Sequence, residues 1–279
     1  MNRNSRAQLA QQTVEIVQQG WYQSPAGQRV DISQQVAASL AATRLITPEQ
    51  FEPWQETVWG GTRSTHFEVT NETTLECARR VVDGASPKKC VCLNFASAKN
   101  PGGGFLGGSQ AQEESLARCS ALVATLESQW DYYEINRGCR TAFYTDHMIL
   151  SPQVPVFRSD EGDLLDPPYL MNFITAPAVN AGAVGKNEPN RIDEVPTVMA
   201  RRIDKLLSLA ASCGYKTLIL GAWGCGVFRN DPATVARLFA AALTGDGRFA
   251  GCFAGVHFAV LDRTERETII SPFRQWLTT

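Results

Sequence analysis

From Thr65 onward the chain alternates short apolar runs of β type with helical runs, and nothing else in it limits the possible folds so severely. THFEVT (65–70) leads to a helical stretch at Thr73–Asp83, and CVCLNFA (90–96) leads, after a long loop, to another at Glu113–Ser128. HMILSPQVPVF (147–157) and LMNFITAPA (170–178) read as strands, followed by a helix over Ile192–Ala211. TLILGAW (217–223), a helix over Ala233–Leu243 capped by Asn230-Asp231 with Pro232 near its first turn, VHFAVLD (256–262) and a closing helix over Thr264–Leu277 complete the rhythm. The unbroken apolar character of LILGAW and FAVLD calls for strands covered on both faces, so the expected fold is an α/β layered sandwich with helices flanking the sheet. Ligands in such sheets sit beyond the carboxyl ends of the strands.

Residues 1–60 lack this rhythm. Ala7–Gln19, with Leu9, Val14, Ile16 and Val17, and Ser33–Thr43 predict two helices and no sheet. They are expected to form a helical N-terminal extension (1–60) packed on a main domain (61–279). Arg158–Pro168 reads as a loop whose Asp160, Glu161, Asp163 and Asp166 form a solvated acidic face, and Trp54, Trp59, Trp130 and Trp276 as packing residues.

A formal charge of -2 and a pI near 6.0 give no broad cationic face for a polyanion, so direct DNA binding is not expected and any anionic ligand must be held locally. The first twenty residues mix charges and glutamines with isolated apolar residues, unlike a signal peptide or a membrane anchor, so a cytoplasmic address and no membrane contact are expected. Eight cysteines without a C-x-x-C pair fit buried, reduced thiols. Three histidines stand at no ligand spacing, so neither a metal nor a cofactor is expected.

Between CVCLNFA and the next helix lies Gly102-Gly103-Gly104-Phe105-Leu106-Gly107-Gly108, five glycines in seven residues. Such a loop suits close approach of backbone amides to a ligand. Gly102, Gly104 and Gly107 also satisfy G-x-G-x-x-G, the dinucleotide-binding fingerprint. The connection from the strand is too long for that turn, and no second strand ends in the acidic residue a ribose would need. A phosphate-cradling NTPase loop is excluded because Lys-Ser/Thr does not follow. Gln112-Glu113-Glu114 follows instead, placing two carboxylates in the first turn of a helix. Neighbouring helical residues point about 100° apart, so the two must do different work. A second glycine turn, Gly221 to Pro232, follows TLIL, and the two loops are placed to grip both sides of a diphosphate with amides.

Gly102-Gly103-Gly104, seven residues, then Gln112-Glu113-Glu114 resembles the signature of the poly(ADP-ribose) glycohydrolases, and Asn94–Pro101 and GAWGCGVFRND (221–231) resemble the bacterial and fungal short form. The resemblance spans roughly residues 10–277. It implies a macrodomain-like mixed sheet in three layers, a helical N-terminal extension, and release of ADP-ribose from poly(ADP-ribose) or ADP-ribosylated proteins; a monomer is expected. It further implies that Glu114 is the catalytic acid, that Glu113 holds hydroxyls of the released ribose, and that Gly102, Gly103 and Gly104 lie along the diphosphate with Gln112 beside them. Gly224, Cys225, Gly226, Val227 and Phe228 would cover the other side, with Phe228 on the distal ribose and Asn100 aimed at that sugar.

Breaking a ribose–ribose bond needs a proton on the leaving oxygen as positive charge develops at the anomeric carbon. The helix N-terminus opposes protonation of Glu114. A bound diphosphate, the charge of Glu113 and an apolar wall of Phe105, Leu106 and Phe228 are expected to restore it. Other functions remain open: a non-catalytic ADP-ribose reader, a hydrolase of mono-ADP-ribosyl groups or O-acetyl-ADP-ribose, and, on residue types alone, a thiol enzyme using Cys225 and His257.

Overall fold

The computed structural model describes residues 1–61, 63–84 and 87–278. The chain opens with α1 (Arg3–Gln19), a hairpin of β1 (Trp21–Gln23) and β2 (Arg29–Asp31), α2 (Ser33–Ala42), β3 (Arg44–Ile46) and a 3-10 turn at Pro48–Trp54. Next come β4 (His66–Thr70), α3 (Thr74–Gly84), β5 (Cys90–Phe95), a 3-10 turn at Phe105–Gly107, then α4 (Gln112–Cys119), α5 (Leu122–Glu127) and α6 (Trp130–Gly138). The remainder holds β6 (Met148–Arg158), β7 (Leu164–Ala176), α7 (Ala181–Asn187), α8 (Val195–Ser212), β8 (Thr217–Leu220), α9 (Pro232–Leu243), β9 (Gly255–Ala259) and α10 (Ile270–Leu277).

Among the described residues the main sheet has the order β3-β6-β7-β5-β8-β9-β4. β7, β5, β8, β9 and β4 run parallel, while β6 and β3 are antiparallel additions at one edge. Strand alternation divides the core between the two faces. Val91, Leu93, Leu218 and Leu220 pack with Leu206, Leu207, Phe239 and Phe273 of α8, α9 and α10 on one side. Cys90, Cys92, Phe173 and Ile219 pack with Val36, Leu116, Leu122, Tyr132 and Tyr133 of α2, α4, α5 and α6 on the other. The expected three-layer mixed sheet is the one observed.

Several local expectations are corrected. Residues 1–60 contain strands: β1 and β2 pair with each other, and β3 joins the main sheet against β6 (Arg44↔Leu150, Ile46↔Met148). Three-residue strands are too short to display a period of two. The single helix expected over Glu113–Ser128 breaks at Ser120, whose extended backbone bridges to Val156 while Ala121 N donates to Pro155 O at 3.0 Å. Pairing with β6 there outweighs helix propensity. β7 begins at Leu164, so the expected loop shrinks, and Asp160 is half-buried, accepting from Thr73 Oγ1 at 2.6 Å. The final helix starts six residues later than expected because Asp262 holds the preceding turn, accepting from the amides of Thr264, Ile269 and Ile270 at 2.9, 2.7 and 3.0 Å. Trp130 and Trp276, expected in packing, are 43% and 47% exposed.

α1 lies against the glycine loop. Arg3 Nε donates to Gly107 O and Arg6 Nε to Gly108 O, each at 2.8 Å. Ala10 and Val14 pack on Phe105, Ala117 and Val123. Thr13 Oγ1 donates to Arg118 O in the last turn of α4, a contact between residues 105 positions apart.

Candidate active site

β5 sets the first half of the site. The face that carries Cys90 and Cys92 carries Asn94 next, fully buried, donating to Glu113 Oε1 at 3.2 Å and to Thr175 Oγ1 at 3.1 Å. α4 is stapled to the end of this strand by Gln112, whose Oε1 accepts from Phe95 N at 2.8 Å and whose Nε2 donates to Leu93 O at 2.7 Å and to Thr74 Oγ1 at 3.3 Å. Gln112 thus offers β5 the donor and acceptor that a neighbouring strand would offer, satisfying backbone groups that must not be left unpaired in the interior.

The two carboxylates diverge as their angular offset requires. Glu113 points inward: it is 3% exposed and its Oε2 accepts from Ser97 N at 2.6 Å. Burial pushes its carboxyl up to about 8, against the Ser97 amide and Asn94, which favour the charged form; the Glu114 charge adds to the rise. The same burial that raises the Glu113 carboxyl weakens the charge it can lend to Glu114. Glu114 is half-buried and points to the glycine loop, its Oε1 accepting from Gly104 N at 3.1 Å. Gly103 sits at φ +60°, and a Cβ there would lie 2.5 Å from the same Glu114 oxygen, so a side chain would both strain the loop and displace the carboxylate. Asn100 closes the turn, its carbonyl accepting from Gly103 N at 3.0 Å, while its exposed Oδ1 accepts from Arg137 at 3.3 Å.

Because a proton is bound to Glu113 in the fold over pH values where the unfolded chain, with an ordinary carboxyl near 4.3, has lost it, stability falls as pH rises toward about 8. Glu113→Gln is expected to flatten this decline. Thermal melts at a series of pH values from about 5 to 8 check it, and equal slopes for the two proteins refute it.

β8 and β7 supply the second half. The Gly224–Phe228 loop follows β8, which pairs with β5, and is held by Asn230, whose Nδ2 donates to Val179 O at 2.8 Å and to Gly224 O at 3.1 Å. Gly182 N donates to Phe228 O at 3.0 Å, tying the loop to α7. Gly226 and Val227 are exposed, Val227 to 77%. The half-buried Phe228 ring lies 6.0 Å from that of Tyr144, which has φ +57°. Behind Tyr144, fully buried Arg202 donates to Phe143 O at 3.0 Å, Pro177 O at 2.9 Å and Asp146 Oδ1 at 3.0 Å, and Arg201 and Lys205 reach the other Asp146 oxygen. Burial pushes the Cys225 thiol up to about 12, and His257 is engaged by Glu68 at 2.7 Å, so neither suits a thiolate mechanism.

Asn94, Tyr144 and Arg137 escaped the sequence reading. Asn94 had a signal, one amide inside the apolar strand CVCLNFA. The left-handed backbone of Tyr144 and the reach of Arg137 had none.

A carboxylate pair beside glycine loops, at the carboxyl ends of adjacent parallel strands in a three-layer sheet, defines a glycosidase of macrodomain-like architecture. The chain belongs to the microbial-type poly(ADP-ribose) glycohydrolase family, whose catalytic-domain model matches residues 10–159. It is similar to the poly(ADP-ribose) glycohydrolase of Thermomonospora curvata, at 44% identity over 99% of this chain and 100% of that one, with a TM-score of 0.94. It is likewise similar to the same organism's enzyme bound to the inhibitor ADP-HPD, at 45% identity over 98% and 99% of the two chains and a TM-score of 0.92. The Deinococcus radiodurans enzyme in complex with ADP-ribose is 50% identical over 86% of this chain and 96% of that one, with a TM-score of 0.82. No curated protein sequence matched.

Proposed function

We propose that the chain hydrolyses the ribose–ribose O-glycosidic bonds of poly(ADP-ribose), releasing ADP-ribose, with Glu114 as the group that gives and then takes the proton. The observation that carries the assignment is the divergence of the two carboxylates: Glu113 buried behind the loop, Glu114 against the amide of Gly104. The complexes of relatives with ADP-ribose and with ADP-HPD support the ligand class.

The diphosphate is held by backbone amides of the Gly224–Phe228 loop and runs along Gly102–Gly104 on its other side, where Gly103 N and Gly104 N already donate to Asn100 O and Glu114 Oε1 and the missing side chains give the ligand room. Glu114 protonates the leaving 2′-oxygen as the anomeric C–O bond breaks, and the phosphates stabilise the cationic sugar. Water then attacks the anomeric carbon and gives its proton to the Glu114 carboxylate, which restores the acid. Glu113 and Asn100 hold ribose hydroxyls, and Phe228, backed by Tyr144, packs on the distal ribose. The raised carboxyl of Glu113 lessens the negative charge that the arriving diphosphate meets. Gln112, with its amide engaged by β5 and α3, positions the helix beside the glycine loop.

Product analysis on poly(ADP-ribose) tests this function. Free ADP-ribose accumulates if it holds. A reader binds polymer and consumes none; a mono-ADP-ribosyl hydrolase leaves chains intact while clearing single groups from protein. Among the described residues no helix is long and apolar enough to cross a membrane. The charge of -2 favours a protein that does not bind DNA directly, and the eight cysteines favour a cytoplasmic address.

A further inference from the structure

α6 carries an exposed pair that the hydrolysis proposed above leaves unused. The Arg137 guanidinium lies 4.7 Å over the ring of Trp130, whose other neighbour is the fully buried Tyr133 at 5.9 Å. The indole is therefore fixed from below, yet 43% of the residue remains in solvent. Arg137 also donates to Asn100 Oδ1, which brings the pair to the rim of the glycine loop, next to exposed Lys99. Among the described residues neither Arg137 nor Lys99 has a carboxylate at ion-pair distance. Asp131 and Glu134 of α6 are also exposed, Glu134 one turn before Arg137, and neither is paired with Arg137 or Lys99 among the described residues.

A polymer cut at this site keeps a second nucleotide unit on the leaving side of the bond, bearing two phosphates and an adenine. With a net charge of -2, the protein cannot hold that unit by a diffuse field, and isolated cations at the rim must do so. An arginine fork bonds phosphate oxygens in pairs, and the part of the indole that Arg137 and Tyr133 leave uncovered offers apolar surface to a base. We propose that Arg137, Lys99 and Trp130 form a subsite for the ADP-ribose unit on the leaving side, with its phosphates on the two cations and its adenine against the exposed part of the indole. This rests on the poly(ADP-ribose) hydrolysis proposed above.

The test compares two substrates for wild type, Arg137→Gln, Lys99→Gln and Trp130→Leu, each variant checked for an unchanged melting temperature. One substrate is poly(ADP-ribose); the other is ADP-ribose glycosylated at the same anomeric carbon with a small neutral aryl alcohol. The subsite requires kcat/KM on polymer to fall about tenfold in Arg137→Gln, with a shallower dependence on salt, and less than about twofold on the aryl substrate. An equal fall on both substrates makes Arg137 a mere positioner of Asn100 and overturns the subsite, as does an undiminished rate on polymer. Trp130→Leu should lose rate on polymer without any change in salt dependence. Wild type that consumes neither substrate overturns the hydrolase function itself, a different failure.

Discussion

Glu114→Gln is expected to lower kcat on poly(ADP-ribose) by a factor of about 10²–10⁴ with little change in KM. The amide keeps the shape of the side chain and an oxygen to accept from Gly104 N, so the loop should remain in place. What is lost is the proton, both for the leaving oxygen and from the attacking water, an effect confined to the transition state. Steady-state kinetics with ADP-ribose binding measured alongside checks the point. A variant that keeps most of its turnover, or that loses ADP-ribose affinity in proportion to its rate, removes Glu114 from the chemistry.

The second large effect concerns the wall behind Tyr144. Asp146→Asn is expected to destabilise the fold by about 3–5 kcal/mol, because it leaves Arg202 buried with two carbonyls and no counter-charge. Burial opposes ionisation of Asp146, but the Arg202 charge, helped by Arg201 and Lys205, overrides it and holds the carboxyl well below its usual range. A depressed carboxyl contributes stability that is present above its unfolded pKa and is lost as pH falls through the folded value. The wild type should therefore lose stability in acid more steeply than the variant. Urea titrations at neutral and acidic pH measure both; a loss below about 1 kcal/mol at neutral pH would mean that the Arg202 charge is relieved some other way.

How much of this was legible depended on what each segment buries. CVCLNFA, TLIL and VHFA announce themselves because both faces of these strands are covered, leaving continuous apolar runs that only a central strand explains. β3 pairs through three residues and carries no such signature. The break at Ser120 was invisible because it is made by β6, which lies some thirty residues further along the chain. At the site, the glycines and Glu113-Glu114 could be read because their chemistry is in their types and spacing. That the Gln112 amide bonds the backbone of β5 is a long-range contact that residue type and spacing do not disclose. Trp130 was read as packing because an indole in an amphipathic stretch usually is; its exposure follows from the way α6 sits on the sheet.

The hold of α1 on the glycine loop bears on how the site selects what it binds. A segment with five glycines in seven residues has much conformational freedom to lose, at roughly 1–2 kcal/mol per ordered residue. Were that loss incurred on binding, it would weaken every ligand alike. Arg3 and Arg6 fix the carbonyls of Gly107 and Gly108 within the fold itself, so ordering is completed before any ligand arrives. The loop then forms a preorganised mould, in which a misfitting ligand gains nothing from rearranging it.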